Sequence, residues 1–572
     1  MKKNITIINL MISILFCIVI IHQYISLEQN VYFWDYARAW RLYLQSGQLL
    51  SQGFFVFLQE TGSSIYSQDY NNLSSALLLP FYFVMPQGDN RFAFILAISL
   101  VYLIPTAWLI CRLIRQNTTN FGTQEWLLCF WLTMSFVPFW KPIMRGYTDI
   151  AGMLPVLFCF FYIFQHDLSA KISLKSILVV GLSLWVSFVL RRWYAYTAIA
   201  MYLILPFVSL WGSNSLLKLK ERVKVSLINY GGAASVTFIC IFIFQQYLFQ
   251  SIMYNDYKEA YSAYRFSWQV NIEQATSYFG YLFIIIGTLS WVLSVLFVPQ
   301  SRRLLISTAA IGIVSYIGFY RSASPDMHHF IPMGVWLLLP ILVCLLNYSR
   351  SISSNIFKNG LLIFVLAISF LLQANTLFPA SFSLHTYLLP GTAYPLHLDK
   401  YDNYTKLADF LQMNLLKENK NTAYFSIVSA DFNLNYSIFS RVAPSSLIDH
   451  MIINPDIDLR DGLPIDTFYA KYLVTTYPAG TLLPSGQENI KIISSLLLKR
   501  EGIGQHYQEV ARFKIDGGAD AIVYEKISPI SRENAIHYIE QFLPFYPKWE
   551  KTYLNEETIA LLMRDQESLT TK

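Results

Sequence analysis

The sequence predicts a polytopic α-helical membrane protein with a C-terminal soluble α/β domain. Of its 572 residues, 54% are hydrophobic and 14% are charged, whereas about 25% of the residues of an ordinary soluble domain are charged. Apolar runs of about 18 residues or more, enough for a helix to cross a membrane, recur between residues 6 and 376. After residue 380 these runs stop, and polar and turn residues take an ordinary spacing. We therefore predict a transmembrane domain at 1–378 and an extracytoplasmic α/β domain at 379–572.

The charge balance and the cysteines exclude several classes of protein. The net charge of +6 is modest, and most Lys and Arg residues occupy short loops between apolar runs, as membrane topology requires. We therefore expect no nucleic-acid partner. The six cysteines lie in or at the ends of apolar runs without metal-like spacing, so neither structural disulfides nor a zinc site is expected. They are at positions 17, 111, 129, 159, 240 and 344.

The N-terminus reads as an uncleaved first span. Met1-Lys2-Lys3 precedes an apolar stretch that ends near Ile25, and no small-x-small cleavage site follows it. Further apolar segments lie at 73–114, 124–140, 148–165, 174–190, 193–211, 226–248, 278–298, 303–320, 328–347 and 358–376.

The number of spans depends on segment 73–114, which is interrupted at residues 86–90. If this segment crosses the membrane once, Lys and Arg are concentrated in the cytoplasmic loops; if it crosses twice, the bias reverses for all later loops. The positive-inside rule therefore favours an odd number of spans, about 11, or about 13 with a missed pair. This topology predicts a multi-pass protein of the inner (plasma) membrane with a cytoplasmic N-terminus and an extracytoplasmic C-terminal domain.

Under this topology the external charges are concentrated near the ends of the spans. An ionisable residue at the membrane boundary is costly unless it is paired or faces a wet cavity, so these residues are functional candidates. The alternative for a single Arg is that it anchors the end of a span by reaching into the headgroups. The external charges are Asp35, Arg38, Arg41, Asp69, Lys141, Arg145, Asp149, Arg191, Arg192, Lys258, Arg265, Arg321, Asp326, His328 and His329.

The first external loop, residues 26–72, contains a candidate interfacial helix at 35–50. Aromatic and apolar residues alternate there with polar ones at helical spacing, so the helix is expected to lie in the membrane interface with its aromatic face down. Asp35 would then lie at headgroup depth, where a lipid-borne substrate presents its phosphate. The alternative is that Asp35 caps the helix and pairs with Arg38 three residues later.

A second candidate carboxylate, Asp149, begins a span in the segment MRGYTDIAGMLP at 144–155. Arg145 lies four residues earlier, on the same face of a helix that extends that far. The alternative for Asp149 is a local ion pair with Arg145.

Three segments together resemble the integral-membrane glycosyltransferases of the GT-C superfamily, in particular the protein mannosyltransferase and lipid A aminoarabinose transferase-like group. In that family a catalytic Asp lies in the first external loop, an acidic residue follows an Arg-containing segment, and a basic pair precedes an aromatic residue, a Pro and a span. The matching segments are Asp35, RGYTDIAGMLPVLF at 145–158 and YRSASPDMHHFIPMGVWLLLP at 320–340.

Residues 71–94 also resemble the family's early helix pair, with Gly88 and Arg91 at its Gly and Arg positions. Two features depart from the family pattern. Asn71-Asn72-Leu73-Ser74 replaces the usual His-Pro-Pro or Lys-Pro-Pro, and no acidic residue follows Asp35. The resemblance covers residues 1 to about 380.

The resemblance implies an inverting transfer of a sugar from a polyprenyl-phosphate donor to an extracytoplasmic acceptor, which is a surface polysaccharide, a lipid or a protein. Asp35 would be the catalytic base, and Asp149 would orient a cation or the acceptor. Cations would stabilise the phosphate leaving group. The candidates are Arg191, Arg192, Arg145, Arg321, His328 and His329. No cofactor is implied with certainty, and a divalent metal is possible where the two carboxylates converge.

The C-terminal domain is expected to be a small α/β fold. Residues 401–421 have helical periodicity, and strand-like runs follow at 423–429, 472–477, 510–515 and 520–525. Gly502-Ile503-Gly504 and Gly517-Gly518 are interpreted as turns. The domain has no nucleotide-binding glycine pattern or nucleophile elbow, and we expect it to contact the acceptor or to cover the cavity.

Two other functions fit the same composition. A transporter or flippase of a lipid-linked sugar also has external charges, but polar residues near mid-span and inverted repeats are not evident. A polysaccharide polymerase or ligase shares lipid-phosphate substrates but has its key residues in a large late loop. A membrane scaffold without chemistry is a further alternative. Motifs predict chemistry rather than the sugar, the lipid length or the acceptor.

Overall fold

The computed structural model describes residues 3–84, 91–119, 121–211, 216–254, 257–379, 388–417 and 423–564. The chain forms two compact units. The membrane unit comprises Met1–Ser26, Asp35–Asp256 and Phe266–Pro395. The sheet unit comprises Leu27–Trp34, Tyr257–Arg265 and Leu396–Lys572, so two short loop segments belong to the same unit as the C-terminal region.

The membrane unit is helical, which confirms the polytopic fold class. In the described part of the chain, seven helices are long and apolar enough to cross a membrane, or up to nine if each of two bent pairs is one span. Two further apolar helices, Ile150–Gln165 and Leu174–Leu190, are shorter. The predicted count of about 11 requires both bent pairs and both shorter helices to cross. The seven long helices are Asn4–Ile25, Arg91–Gln116, Arg192–Trp211, Leu219–Phe244, Pro299–Ser322, Met327–Ser351 and Asn355–Leu377.

Each bent pair breaks where the sequence interrupts a regular helix. Thr123–Met134 and Val137–Met144 meet at 41°, and the second helix begins with Val137-Pro138, whose proline lacks a backbone N–H. Trp268–Phe279 and Tyr281–Phe297 meet at 89° around Gly280, whose φ is 77°. A Cβ at Gly280 would lie 2.5 Å from the carbonyl carbon of Leu389, so a side chain is excluded there for steric as well as conformational reasons.

The spans divide into central and peripheral helices. The most apolar windows of Arg91–Gln116 and Met327–Ser351 are 72% and 67% buried within the protein, whereas those of Asn4–Ile25 and Asn355–Leu377 are each 22% buried. Apolar side chains that the protein does not cover match the hydrocarbon that a spanning helix contacts. The peripheral helices therefore supply the lipid-facing surface.

The loop after the first span, residues 26–72, differs from its prediction. It forms helices Trp34–Gln52 and Phe54–Ser67, but the aromatic face of the first does not face a membrane. Trp40 and Tyr43 are buried in the protein, and the Tyr43 ring packs against Phe94 with centroids 5.3 Å apart. The exposed apolar residues are on the second helix, where Phe55 is 83% exposed. The exposed apolar face thus belongs to Phe54–Ser67, because the aromatic residues Trp40 and Tyr43 of the first helix pack within the protein.

Segment 73–114 contains one long helix in its described part. Leu73–Ala76 and Pro80–Val84 are too short to span, whereas Arg91–Gln116 is long enough; this agrees with a single crossing. Gly88 lies outside the described residues. Arg91 is buried and donates hydrogen bonds to the carbonyl oxygens of Tyr36 at 2.8 Å and Arg145 at 2.9 Å. Arg91 therefore joins the first-loop helix to the segment that precedes Asp149.

The sheet unit contains a mixed five-stranded sheet of order β2-β1-β3-β5-β4. Strands β1 and β2 pair in parallel, as do β1 and β3, whereas β5 is antiparallel to both β3 and β4. The predicted α/β class is confirmed, with helix Tyr401–Lys417 and all four predicted strands present. Strand β2 was missed because it has only two residues. The strands are β1 (Phe425–Val428), β2 (Met451–Ile452), β3 (Tyr472–Tyr477), β4 (Tyr507–Lys514) and β5 (Asp520–Lys526).

Helices pack against this sheet to form the core of the sheet unit. Leu473 of β3, Ile490 and Tyr538 are among its buried residues, and Trp34 packs against the same core. The glycine pairs predicted as turns lie in short 3₁₀ turns, Gly502–His506 and Asp516–Gly518. The other helices of the unit are Tyr257–Ala260, Tyr436–Val442, Ser445–Ile448, Asp458–Asp461, Glu488–Lys499, Arg532–Glu540, Trp549–Tyr553 and Glu556–Leu562.

Candidate functional site

Several of the predicted residues line one open cleft of about 470 Å³ in the membrane unit. The first turns of helix Trp34–Gln52 form one wall, residues 69–75 a second, and the end of helix Leu174–Leu190 with the two arginines after it a third. We call this the arginine cleft. Its charged and polar lining residues include Asp35, Arg38, Asp69, Tyr70, Asn71, Ser74, Ser75, Tyr147, Thr148, Arg191 and Arg192.

Asp35 lies in the first turn of helix Trp34–Gln52 and is exposed to this cleft. In the described part of the chain its carboxylate makes no hydrogen bond and no ion pair, so the pairing of Asp35 with Arg38 considered above is not formed. Asp35 also makes no capping hydrogen bond to the start of its helix. Its carboxylate is therefore available to accept a proton or a hydrogen bond from a bound molecule.

Arg38 is a cleft residue to which the sequence assigned only a pairing role. Its guanidinium lies over the Tyr70 ring, 4.5 Å from the centroid, and that of Arg192 lies 4.3 Å from the same centroid. Such cation–π contacts hold a guanidinium in place without neutralising its charge. Arg38 forms no ion pair with any described residue, so it carries an uncompensated positive charge in the cleft.

Asp149 is fully buried at the rear of this region and pairs with a residue distant in sequence. Its Oδ1 atom accepts hydrogen bonds from Arg191 Nε at 2.8 Å and from Trp193 Nε1 at 2.5 Å. No ion pair with Arg145 is present among the described residues, so the local pairing considered for Asp149 is not formed. Its Oδ2 atom has no hydrogen-bond partner in the described structure. Asp149 therefore fixes the orientation of Arg191, consistent with one of the two roles expected for it.

Arg192 is also ion-paired, with Asp69. Asp69 was recognised in the sequence as an external charge but was not assigned to the site. With Asp149 on Arg191 and Asp69 on Arg192, both leading phosphate-binding candidates are oriented by carboxylates. Their guanidinium groups can still donate through their remaining N–H groups, because each guanidinium carries five.

The histidines and Arg145 form an aromatic cluster beside the cleft. The His328 ring stacks on Tyr147, with centroids 4.2 Å apart and planes at 14°. The His329 ring lies 3.8 Å from that of His328 and accepts a hydrogen bond at Nδ1 from the Asp326 backbone N–H at 3.0 Å. Because Nδ1 is an acceptor, a neutral His329 carries its proton on Nε2. The cluster thus places His328 against a cleft residue, Tyr147, and His329 against His328.

Arg145 and Arg321 differ in how close they come to these groups. The Arg145 guanidinium lies 5.4 Å from the centroid of the Tyr36 ring, and that ring packs edge-on against Tyr147 at 5.5 Å. Burial raises the pKa of Tyr36 to about 12, so its hydroxyl stays neutral. Arg321 is exposed and makes no hydrogen bond, ion pair or ring contact within the described residues. The structure therefore does not bring Arg321 together with the other candidates.

An apolar groove of about 350 Å³ lies in the same unit. Its lining includes Trp193, the residue that follows Arg192 of the cleft, and His329 of the aromatic cluster. The remaining lining is almost entirely aromatic or aliphatic, with Phe319, Met333 and Trp336 among its members. Among the residues that the structure describes, no group of three or more His, Cys, Asp or Glu side chains is placed to hold a metal ion.

No protein-family model matches this chain, and no curated protein matches it. Among solved structures, it is similar to the crystal structure of ArnT from Cupriavidus metallidurans bound to undecaprenyl phosphate. The identity is 12%, the alignment covers 92% of this chain and 98% of that chain, and the TM-score is 0.41. At so low a TM-score and identity this similarity carries no functional conclusion.

Proposed function

We propose that the protein is an inverting glycosyltransferase that moves a sugar from a polyprenyl-phosphate donor to a hydroxyl group of an extracytoplasmic acceptor. The observation that carries this proposal is the arginine cleft itself. It combines an exposed carboxylate without a partner, Asp35, with the guanidinium groups of Arg38, Arg191 and Arg192. A free base and fixed cations are the two kinds of group that this transfer needs.

In the proposed step the acceptor hydroxyl attacks the anomeric carbon of the sugar. Its proton passes to the Asp35 carboxylate as the new carbon–oxygen bond forms. The bond between the anomeric carbon and the phosphate oxygen breaks, and its electron pair stays on that oxygen. Attack from the face opposite the phosphate inverts the anomeric carbon. A positioned general base of this kind contributes roughly 10²- to 10⁴-fold to the rate.

The leaving polyprenyl phosphate gains negative charge, which the cleft arginines would stabilise. Guanidinium forks bind phosphate oxygens at two points. Arg38 supplies an uncompensated charge, while Asp149 and Asp69 hold Arg191 and Arg192 in fixed orientations. Preorganised cations require little rearrangement as charge develops. Asp149 is thus a positioning residue in this proposal, not a second base.

The apolar groove supports a lipid-linked donor. Its lining begins at Trp193, immediately after Arg192 of the cleft. An isoprenoid chain in an aromatic and aliphatic groove would therefore start beside the cation that contacts its phosphate. Burial of each isoprenoid unit in such a groove would add hydrophobic stabilisation, at about 25 cal/mol per Å² of apolar surface.

We further propose that the cleft faces the extracytoplasmic side, with the N-terminus in the cytoplasm. Two observations support this orientation. Segment 73–114 contains a single long helix in its described part, and eleven spans result if both bent pairs and both shorter helices cross the membrane. Alkaline phosphatase fused after residue 564 should be active, whereas green fluorescent protein at that position should not fluoresce. The opposite pattern would place the sheet unit in the cytoplasm.

Glycan and lipid profiling of cells tests the proposed reaction. Cells lacking the protein are complemented with wild type, Asp35→Asn or the control Asp399→Asn, a highly exposed carboxylate of the sheet unit. With Asp35→Asn, one sugar substituent should disappear from surface glycans, lipids or proteins, and its polyprenyl-phosphate donor should accumulate. The control should match wild type. Unchanged glycans in Asp35→Asn cells at normal protein level would contradict the proposal, and loss of external donor would favour a flippase.

A further inference from the structure

Lys141 is a buried cation that the proposed reaction does not use. It lies in the last turn of helix Val137–Met144 and is 7% exposed. Its Nζ atom donates one long hydrogen bond, of 3.4 Å, to the Tyr278 carbonyl oxygen and lies 4.8 Å from the centroid of the Tyr278 ring. Lys141 does not line the arginine cleft, and the proposed reaction assigns no step to it.

No carboxylate within the described residues forms an ion pair with Lys141. Burial opposes the charge of the Lys141 ammonium group most strongly, Arg145 opposes it as well, and Asp326 favours it. The carbonyl groups at the end of its own helix favour the protonated form. A buried ammonium group normally has a counter-ion and acceptors for all three of its hydrogens. Among the described residues one weak acceptor contacts this ammonium group, which leaves room for an acceptor supplied by a bound molecule.

The position of Lys141 narrows the chemistry of that acceptor. Lys141 lies in the second helix of the pair bent at 41°, and Tyr278 lies just before the 89° break at Gly280. The loop through Gly391 also approaches, since a Cβ there would lie 3.8 Å from Nζ. Two helix breaks, a returning loop and a cation therefore meet in one place, and Lys141 lies in the last turn of its helix. A cation at the end of a membrane helix is within reach of the headgroup region.

We propose that Lys141 binds the phosphate group of a membrane lipid at a position separate from the arginine cleft. The lipid is either an isoprenoid phosphate or a phospholipid, since both present the same anionic oxygens at this depth. Binding supplies a counter-ion and acceptors that none of the described residues provides. This inference does not depend on sugar transfer, because the site binds its lipid whether or not the cleft catalyses a reaction.

Thermal unfolding of the purified full-length protein in an uncharged detergent tests this inference. The probes are undecaprenyl phosphate, dioleoylphosphatidylglycerol, inorganic phosphate and, as an uncharged control, dioleoylglycerol. At least one lipid phosphate should raise the unfolding midpoint of wild type by several degrees, because a ligand that binds only the folded state stabilises it. Dioleoylglycerol and inorganic phosphate should not.

The matched variants are Lys141→Met and Lys358→Met. Lys358 pairs with Glu125 across 3.6 Å, so its loss removes a lysine that already has a counter-ion. Lys141→Met should reduce the lipid-dependent shift by the part that the arginine cleft does not supply, and Lys358→Met should retain the full shift. A shift as large in Lys141→Met as in wild type, for every lipid phosphate, would overturn the inference, as would a wild type that responds to no lipid phosphate or to inorganic phosphate alone.

If Lys141→Met fails to accumulate, competitive acetylation of the wild-type protein tests whether a lipid phosphate binds Lys141. The lipid phosphate that stabilises the protein should slow acetylation of the Lys141 amine, read by mass spectrometry, and leave Lys358 unaffected. Equal rates with and without the lipid would overturn the proposal. A response to dioleoylphosphatidylglycerol alone supports the Lys141 site while removing support for a polyprenyl donor, so the two proposals fail separately.

Discussion

Arg191 Nε and Asp149 Oδ1 are joined by a 2.8 Å hydrogen bond, although the two residues are 42 positions apart in the sequence. Asp149 is fully buried and the Arg191 side chain is 15% exposed. The pair connects the end of helix Leu174–Leu190 to the start of helix Ile150–Gln165, and so sets one wall of the arginine cleft. Because each residue neutralises the charge of the other, a variant that removes only one of them leaves an unpaired charge and tests stability as well as catalysis.

Arg191→Ala should destabilise the protein, so a loss of activity in this variant cannot be assigned to catalysis alone. It leaves the Asp149 carboxylate buried without its cation, which typically costs about 3–5 kcal/mol. We expect a lower unfolding midpoint and a lower yield of folded protein. The double variant Arg191→Gln/Asp149→Asn should recover most of the stability, because no buried charge remains. A single variant as stable as wild type would show that the pair is not a structural element.

Arg38→Gln should lower the rate of transfer by about 10- to 100-fold and leave stability unchanged. The side chain is exposed and unpaired among the described residues, so its removal strands no buried partner, while a phosphate loses a charge-assisted contact. Arg41→Gln is the matched control, because Arg41 is an exposed arginine on the same helix outside the cleft lining. Equal activities for the two variants would remove Arg38 from the site.

Trp193→Phe should reduce activity more than stability. It deletes the donor to Asp149 Oδ1 but keeps an aromatic ring at the start of the apolar groove. Loss of one hydrogen bond to a charged acceptor costs about 1–3 kcal/mol, partly offset because Arg191 still donates to the same oxygen. Steady-state kinetics should therefore show a clear reduction in kcat, whereas thermal unfolding should show a midpoint lowered by only a few degrees. An unchanged kcat would mean that Asp149 needs Arg191 alone.

The stability of the protein should depend on pH through Asp456 in the sheet unit. Burial, reinforced by Asp461, raises the pKa of Asp456 to about 7 although Arg460 lowers it. The protonated carboxyl contributes stability that is fully present below the pKa of the unfolded state, near 3.8. This stability is lost as the pH rises through the pKa of the folded state, about 7. The unfolding midpoint of Asp456→Asn minus that of wild type should therefore be larger at pH 8 than at pH 5. Equal differences at the two pH values would contradict this assignment.

Patterns that depend on neighbouring residues were predictable from the sequence. The apolar runs correspond to the helices of the membrane unit, and strand-like runs located β1, β3, β4 and β5 in the sheet unit. Strand β2 was not predictable because two residues carry no periodicity. The aromatic face of 35–50 was predicted to face lipid, since sequence periodicity shows an apolar face but not whether protein or lipid covers it.

The candidate site divides in the same way. Asp35 stood out because a carboxylate among aromatic residues at the end of a span needs an explanation, and it does line the cleft. The partners of Asp149 and Arg192 depend on how distant helices meet, so local spacing suggested Arg145 for Asp149 instead. Arg38 was assigned only a pairing role because its distance of three residues from Asp35 suggested a helical ion pair. That no described carboxylate pairs with Lys141 could be recognised only once its neighbours in space were known.

The most direct test of the central claim is the transfer rate of purified Asp35→Asn, measured with its polyprenyl-phosphate donor once profiling has identified the sugar. If Asp35 is the base, kcat should fall by roughly 10²- to 10⁴-fold, with the affinity for the donor unchanged because the cleft arginines remain. A kcat within a few-fold of wild type, with normal donor binding, would show that Asp35 does not accept the acceptor's proton.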